Sequence, residues 1–508
     1  MLTSLRGTAR AALALTLGLA ACAKEVTPPS TPTLASPTAS SDAAALNGVM
    51  LQGFYWNVPI SNSQGTWWQV LNSKANELAT AGFTAVWLPP AYKGWNPTQS
   101  PSSMDQGYGV YDRYDLGEFN QKGSVNTRYG SLSQLQTCIS SLHSQGLQVY
   151  EDMVMNHLNG ADTPETITMT DGSTASVYTK FTYPGRGATY SNYNWQWYNF
   201  NGQQKADGSW YQWHAWDFQP YGVGNSAYDN LMGSEIRYSD VNQANETISW
   251  GNWLTTKLNL DGYRIDAAKH IQTAFLNKWF DGVKGSKFAV SEAWFGSVSE
   301  LSDYVTRTGG RTSLFDFPLH DLFRAMSNGN GTWDMRGLQN AGFTNADGVH
   351  AVSFVDNHDT DNSGGANTPV VNLKMLAYAY ILLREKGYPC VFYRDYYEYG
   401  LGGQIKTLMG IRKTSALGAG AEYTAANTTD YYAYSRAGDG TTTAGHKGLM
   451  LVLNDGNTDI TTKQLTSPFK SATLTDKTGN YAGTITTNSS GVGTFPVKAR
   501  SWSVWVVN

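Results

Sequence analysis

Short apolar runs recur through the chain and predict strands at GVMLQGFYW (48–56), AVWLPP (85–90), QVYEDMVMNH (148–157), GYRIDAAKH (262–270), FAVSEAW (288–294), SLFDFPL (313–319), HAVSFVDNHD (350–359) and YPCVFY (388–393). Stretches with helical spacing lie between them, at 67–82, 131–146, 244–258 and 372–387. Strand and helix in alternation imply parallel pairing through right-handed crossovers, so eight such strands predict a (β/α)8 TIM barrel. Residues 158–240 are too many for a bare loop. They are rich in Gly, Asn, Tyr and Trp (YPGRGATYSNYNWQWYNFNG) and read as an irregular insert after strand 3. From residue 415 onward YYAYSRAG, KGLMLVLND, SATLTD and RSWSVWVVN alternate between polar turns, which predicts a C-terminal all-β sandwich domain. Residues 46–157 and 241–414 then form the barrel, 158–240 the insert and 415–508 the sandwich.

The N-terminus breaks this pattern. Arg6 and Arg10 precede AALALTLGLAA, an apolar run too short to span a membrane, and residues 1–21 read as a signal peptide. The run ends in Leu19-Ala20-Ala21-Cys22, which resembles a lipobox; an ordinary signal peptide with an incidental Cys is the alternative. Lipidated Cys22 would tether the chain to a membrane surface without spanning it. The expected location is the outer membrane or cell surface, or the medium. Residues 22–45, with Pro28, Pro29, Pro32 and Pro37 among Ser, Thr and Ala, read as an extended linker.

A net charge of −4 argues against a nucleic-acid surface. The bias is aromatic, with 17 Trp and 30 Tyr. Such rings fill cores, and they also suit ligands with apolar faces and polar rims, such as sugars. Cys138 and Cys390 lie far apart in unlike segments and are expected as buried free thiols. A monomer is expected.

The polar residues within the apolar runs gather at one end. The third run ends in Asn156-His157, the fourth in Asp266 followed by Lys269-His270, the fifth in Glu292, and the seventh in Asp356-Asn357-His358-Asp359. In a barrel of this kind the site is built at the C-terminal ends of several strands. Side chains alternate along a strand, so Arg264, Asp266 and Ala268 should share the face toward the barrel mouth. Two carboxylates facing across that mouth are the tools of retaining glycoside hydrolysis. Arg264 would keep one of them ionised, and the apolar flanks of Glu292 would keep the other protonated.

Four motifs in order, DMVMNH (152–157), GYRIDAAKH (262–270), SEAW (291–294) and FVDNHD (354–359), resemble those of the alpha-amylase family of glycoside hydrolases, family 13. GYGVYDRYDLGEFNQKGSVNTRYG (107–130) and YPGRGATYSNYNWQWYNFNG (183–202) are similar to the bacterial liquefying type. The resemblance implies hydrolysis of α-1,4-glucans, with Asp266 as nucleophile, Glu292 as general acid/base and Asp359 as transition-state stabiliser. It implies that Arg264 orients Asp266, that His157 and His358 bind hydroxyls, that Tyr108 stacks on the sugar, and that Lys269 and His270 meet the leaving-group side. Asp152 is expected to pair with Arg264 rather than with substrate. Trp294 either stacks on substrate or packs beneath it.

The family also implies one structural Ca2+ between barrel and insert. The matching positions are Asn156, Asp229, Glu235 and the main-chain oxygen of His270, hard oxygen ligands that suit this ion. Glu235 stands where relatives of this type carry Asp. Further insert acids that hold an extra metal cluster in those relatives match Asn192, Asp217, Arg237 and Ser239 here, of which only Asp217 is acidic. Arg237 is therefore expected to replace the missing cations by pairing with Asp217. Arg394, in VFYRDYY, stands where relatives tend to have Gly, and its role is open at this stage.

Two rival readings accompany the endo-acting hydrolase. One is a maltooligosaccharide-releasing or transglycosylating enzyme of the same family, which would use the same three carboxylates. The other is a glycan-binding protein with a dead barrel, which requires a lost acid; Asp266, Glu292 and Asp359 are all present.

Overall fold

The structure, a computed structural model, describes residues 48–98, 106–217, 231–362, 364–440 and 447–508. The leader, the lipobox and the linker lie outside the described residues. Eight parallel strands close into a barrel, each inside one of the eight predicted runs: β1 Met50–Gln52, β2 Ala85–Leu88, β3 Gln148–Met153, β4 Gly262–Ile265, β5 Phe288–Ser291, β6 Ser313–Phe315, β7 Ala351–Phe354 and β8 Tyr388–Phe392. Each pairs with its sequence neighbours, and Met50 opposite both Ala85 and Cys390 closes the ring. β3, β4, β5 and β7 stop short of the predicted ends, and the polar residues at those ends lie beyond the ladder.

The fourth run shows how. Ladder pairing ends at Ile265, Ala267 takes φ 47°, and Ala268–His270 turns into a 3-10 helix. The expected face therefore holds for Arg264 and Asp266 and fails for Ala268. The physical reason is the neighbouring strand: Ala267 N donates to Glu292 Oε2 at 3.1 Å, and Ala268 N to the Glu292 carbonyl at 3.0 Å.

The major helices α1 Trp67–Ala81, α2 Leu132–Ser144, α3 Val241–Leu258, α4 Thr273–Trp279, α5 Val298–Arg307, α6 Phe317–Gly329, α7 Lys374–Leu383 and α8 Gly402–Ser415 follow the strands in turn. Local chemistry sets their ends. Gly82, at φ 104°, caps α1 in the left-handed region that glycine favours. Ser131 and Gln134 form a capping box on α2. Asp240 starts α3 a turn before the predicted helix, its side chain accepting from Asn242 N. α7 ends at Leu383 rather than running on to 387, because extended Arg384 turns to bond Glu422 and Tyr432 of the C-terminal sheet.

The insert is more regular than its composition implies. Thr163–Thr168 and Thr174–Lys180 make a hairpin. Trp210–Gln212, Phe200–Gln204, Ser234–Ile236 and His157–Leu158 make a four-stranded antiparallel sheet. Its edge strand His157–Leu158 begins four residues after β3 ends, which ties the insert to the barrel mouth.

The C-terminal residues form a six-stranded antiparallel sheet faced by the pair Gln464–Thr466 and Val492–Thr494. Alternation gives this sheet two apolar faces. Tyr432, Tyr434, Leu451, Leu453, Val504 and Val506 join the barrel's core, while Tyr431, Ala433, Met450, Val452 and Trp505 form a second core with Leu465 and Phe495. Cys138 and Cys390 are buried free thiols, as expected.

Candidate active site

β4 carries the centre of the site. Its register sets Arg264 directly opposite Asp152 on β3 and opposite Val290 on β5, two residues before Glu292. The guanidinium is 1% exposed and reaches three carboxylates. Nη1 lies 2.7 Å from Asp152 Oδ1 and 2.6 Å from Asp266 Oδ1, and Nη2 lies 2.9 Å from Glu292 Oε1. The Trp87 ring, 5.1 Å away, covers it. A planar fork of this kind fixes the direction of each partner it holds, which a freely rotating ammonium does not. Asp152 pairs with Arg264 as expected, and its second oxygen accepts from Trp87 Nε1 at 3.1 Å and from Tyr108 OH at 2.8 Å.

One guanidinium faces four buried carboxyl groups, since Asp359 also enters the cluster. Burial raises all four above the ordinary carboxylate range. Arg264 pulls Asp266 back down. Glu292 is drawn down by Arg264 too, but the charge of Asp266 pushes it up again. Asp359 is held well above its usual value by burial and by the charge of Glu292. Four such charges cannot coexist around one cation, so the cluster titrates as a unit and shares protons. Arg264 pulls Asp266 down with no opposing acid among its causes, whereas Glu292 also feels the Asp266 charge, so Glu292 is the readier of the two to hold a proton.

The histidines are neutral donors. Burial drives His358 well below its ordinary value, and Arg264 adds to this; burial lowers His157 to about 4. Gln52 Nε2 lies 2.8 Å from His358 Nδ1, which assigns the proton to Nε2. That nitrogen faces Tyr108 OH at 2.9 Å and Asp359 Oδ2 at 3.2 Å. His157 Nε2 donates to the Tyr108 carbonyl at 2.9 Å. Tyr108 lies parallel to the His358 ring, centroids 5.3 Å apart, with Trp56 parallel to it at 6.0 Å.

These groups open into a cleft of about 400 Å³ that also takes in Lys269, His270 and Trp294. Lys269 Nζ donates to the Trp294 carbonyl at 3.0 Å. Trp294 lies flat on Phe317, centroids 4.4 Å apart, so it packs on a neighbour and lines the cleft together. Sequence reasoning missed Gln52 and Trp56. Both fall in the first apolar run, where an isolated Gln and a terminal Trp were the available signals.

Of the four positions matched to a calcium site, Asp229 lies outside the described residues. Asn156 is 2% exposed, and its Nδ2 has no hydrogen-bond partner. Ile236 N donates to the Asn156 carbonyl at 3.0 Å, which brings the Glu235 strand alongside. An unbonded buried amide end beside a carboxylate strand fits a hard cation once the amide is turned oxygen-first. Among the described residues no group of three or more His, Cys, Asp or Glu could hold a metal. The expected Arg237–Asp217 pair is not formed. Arg237 Nη2 lies 3.1 Å from Asp240 Oδ2, three residues on, while Asp217 accepts from Ser239 N at 2.7 Å. The nearer acid won because a local pair orders less chain.

A family model described as alpha amylase, catalytic domain, matches residues 61–417, and one described as alpha-amylase C-terminal matches residues 449–506. The chain is 38% identical to an alpha-amylase of Geobacillus stearothermophilus, covering 91% of this chain and 88% of that one. It is also 38% identical to a glucan 1,4-alpha-maltohexaosidase of Bacillus sp. (strain 707), covering 91% and 92%. Among solved structures, alpha-amylase I of Eisenia fetida with maltohexaose superposes with a TM-score of 0.65 at 16% identity, covering 90% of this chain and 96% of that one.

Proposed function

The chain belongs to the alpha-amylase family of glycoside hydrolases, and from that premise we propose the division of labour by which it cleaves α-1,4-glucosidic bonds with retention. Asp266 attacks the anomeric carbon while Glu292 protonates the departing oxygen. The resulting glycosyl ester is then opened by a water that Glu292, now a base, deprotonates. Asp359 stabilises the positive charge that develops at the ring. His358, neutral, offers its Nε2–H to a sugar hydroxyl, His157, whose Nε2–H is held by the Tyr108 carbonyl, offers Nδ1 as an acceptor, and Tyr108 and Trp56 supply flat faces for the ring.

The observation that supports this assignment is the Arg264 fork, which touches Asp266 and Glu292 through different nitrogens. It holds the two carboxylates as a close pair, as a direct displacement at ~5–5.5 Å requires. Timed product analysis on amylose, with the anomers read by NMR, tests the reading. Mixed oligosaccharides from the first minutes, released as α-anomers, are expected. A single product length from the start would favour the maltooligosaccharide-releasing reading, and initial β-anomers would defeat both.

We also propose that Asn156, Glu235 and the His270 carbonyl, with Asp229, hold one structural calcium that pins the insert to the barrel. Chelation followed by dialysis is expected to lower Tm by several degrees, with recovery on adding Ca2+ but not Mg2+. An ion held at a hundred times its Kd contributes about 2.7 kcal/mol. An unchanged Tm would remove the metal from the account.

A further inference from the structure

We propose that Arg394 is a positioning residue for Asp359, acting through Asp361; the inference rests on the stabiliser role of Asp359 given above. Asp361 is fully buried. Its Oδ2 accepts from Arg394 Nη1 at 2.6 Å and its Oδ1 from Tyr399 OH at 2.8 Å. The backbone around it holds Asp359 on both sides. Asp361 N donates to the Asn357 carbonyl at 3.1 Å, Gly364 N to the Asp361 carbonyl at 2.8 Å, and Ala366 N and Asn367 N to the Asp359 carbonyl at 3.0 and 3.1 Å. Gly364 lies so close that a Cβ there would sit 2.2 Å from the Asp359 carbonyl oxygen. The segment that leaves β7 thus folds back on Asp359, and the Asp361 carboxylate anchors that fold.

Arg394 is built to hold the anchor still. Its Nε donates to Glu398 Oε2 at 2.8 Å, and its guanidinium lies 5.1 Å from the Tyr55 ring and 4.8 Å from the Tyr399 ring. The short helix Tyr393–Tyr397 that carries it is itself fixed, because Lys374 bridges Asp395 to Asp356 at the end of β7. Arg394 therefore links the end of β8 to the turn after β7. A transition-state stabiliser must be placed within a fraction of an ångström to act, so loosening its turn should lower kcat more than it raises KM.

The two partners are unequal. The Asp361 side chain is 1% exposed and the Arg394 side chain 19%, with Glu398 still beside it. Removing the arginine strands a buried carboxylate, whereas neutralising the aspartate leaves a cation that is still paired. For enzyme well below its Tm, with rates expressed per folded molecule, Arg394→Ala is expected to lower kcat about tenfold with KM within about twofold. Asp361→Asn should lower it less, Arg394→Lys should recover part of the loss, and the Arg394→Ala/Asp361→Asn pair should be faster than Arg394→Ala alone. A lowered Tm with unchanged kcat, or additive losses in the pair, would overturn the inference. Asp359→Asn is measured alongside. Its near-complete loss of activity supports the underlying reading, and retained activity overturns that reading together with the inference.

Discussion

Asp266→Asn is expected to lower kcat on soluble starch by about four orders of magnitude while the protein stays folded. Asn is nearly the same size, so Arg264 keeps Asp152 and Glu292 and loses one of three acidic partners. An amide cannot form the glycosyl ester, and no other side chain takes its place: Asp152 is held by Arg264, Trp87 and Tyr108, and Asp359 lies against His358. Losses of ~10⁴ or more are usual when a covalent nucleophile is removed. The measurement is a rate per folded molecule beside a thermal melt. Activity within tenfold of the parent, at an unchanged melt, would disprove the nucleophile assignment.

Arg264→Met comes second, and it should damage both activity and fold. The change keeps an unbranched apolar stem, two atoms shorter, and removes the one charge that Asp152, Asp266 and Glu292 share. Asp152 and Asp266 lose their cation and Glu292 keeps only the charge of Lys269, and breaking a buried pair from one side costs about 3–5 kcal/mol. Part of that cost is avoided by taking up protons. Without the guanidinium the Asp266 carboxyl rises further, so it is ionised only at higher pH and the acid limb of the kcat profile moves upward. Glu292 rises as well and holds its proton longer, so the alkaline limb moves the same way. The expected result is kcat down about a thousandfold at neutral pH, a lower Tm, and both limbs displaced upward. Arg264→Lys should regain stability but little activity, since a point charge cannot fork. Limbs left in place would mean that Arg264 does not set these ionisations.

The barrel was legible because each strand is an apolar run and each candidate acid ends one. Asp266 and Glu292 could be found for that reason alone. What stayed hidden depended on contacts distant in the chain, or on turns no pattern marks. The left-handed turn at Ala267 exists because its amide and the next serve Glu292, so alternation failed at Ala268 while holding at Asp266. The early stop of α7 depends on Arg384 meeting Glu422 and Tyr432. Arg394 had no visible purpose until Asp361, 33 positions earlier, came within reach. Arg237 failed in the opposite sense: a distant partner was chosen where the acid three residues on sufficed. In the insert, TASVYTK alternates as a strand should, but the surrounding Gly and Asn suggested disorder of form.

The two-faced C-terminal sheet bears on how this protein could have been assembled. A detachable module keeps its oily side to itself. Here Leu451 and Val504 belong to the barrel's interior, while Met450 and Trp505, one residue away along the same strands, belong to an interior of their own. A cut in the link after α8 would open one continuous interior and leave each fragment with a bare wall. The border that topology draws there is not one that thermodynamics recognises. Swapping this sheet between relatives means recutting the barrel side to fit.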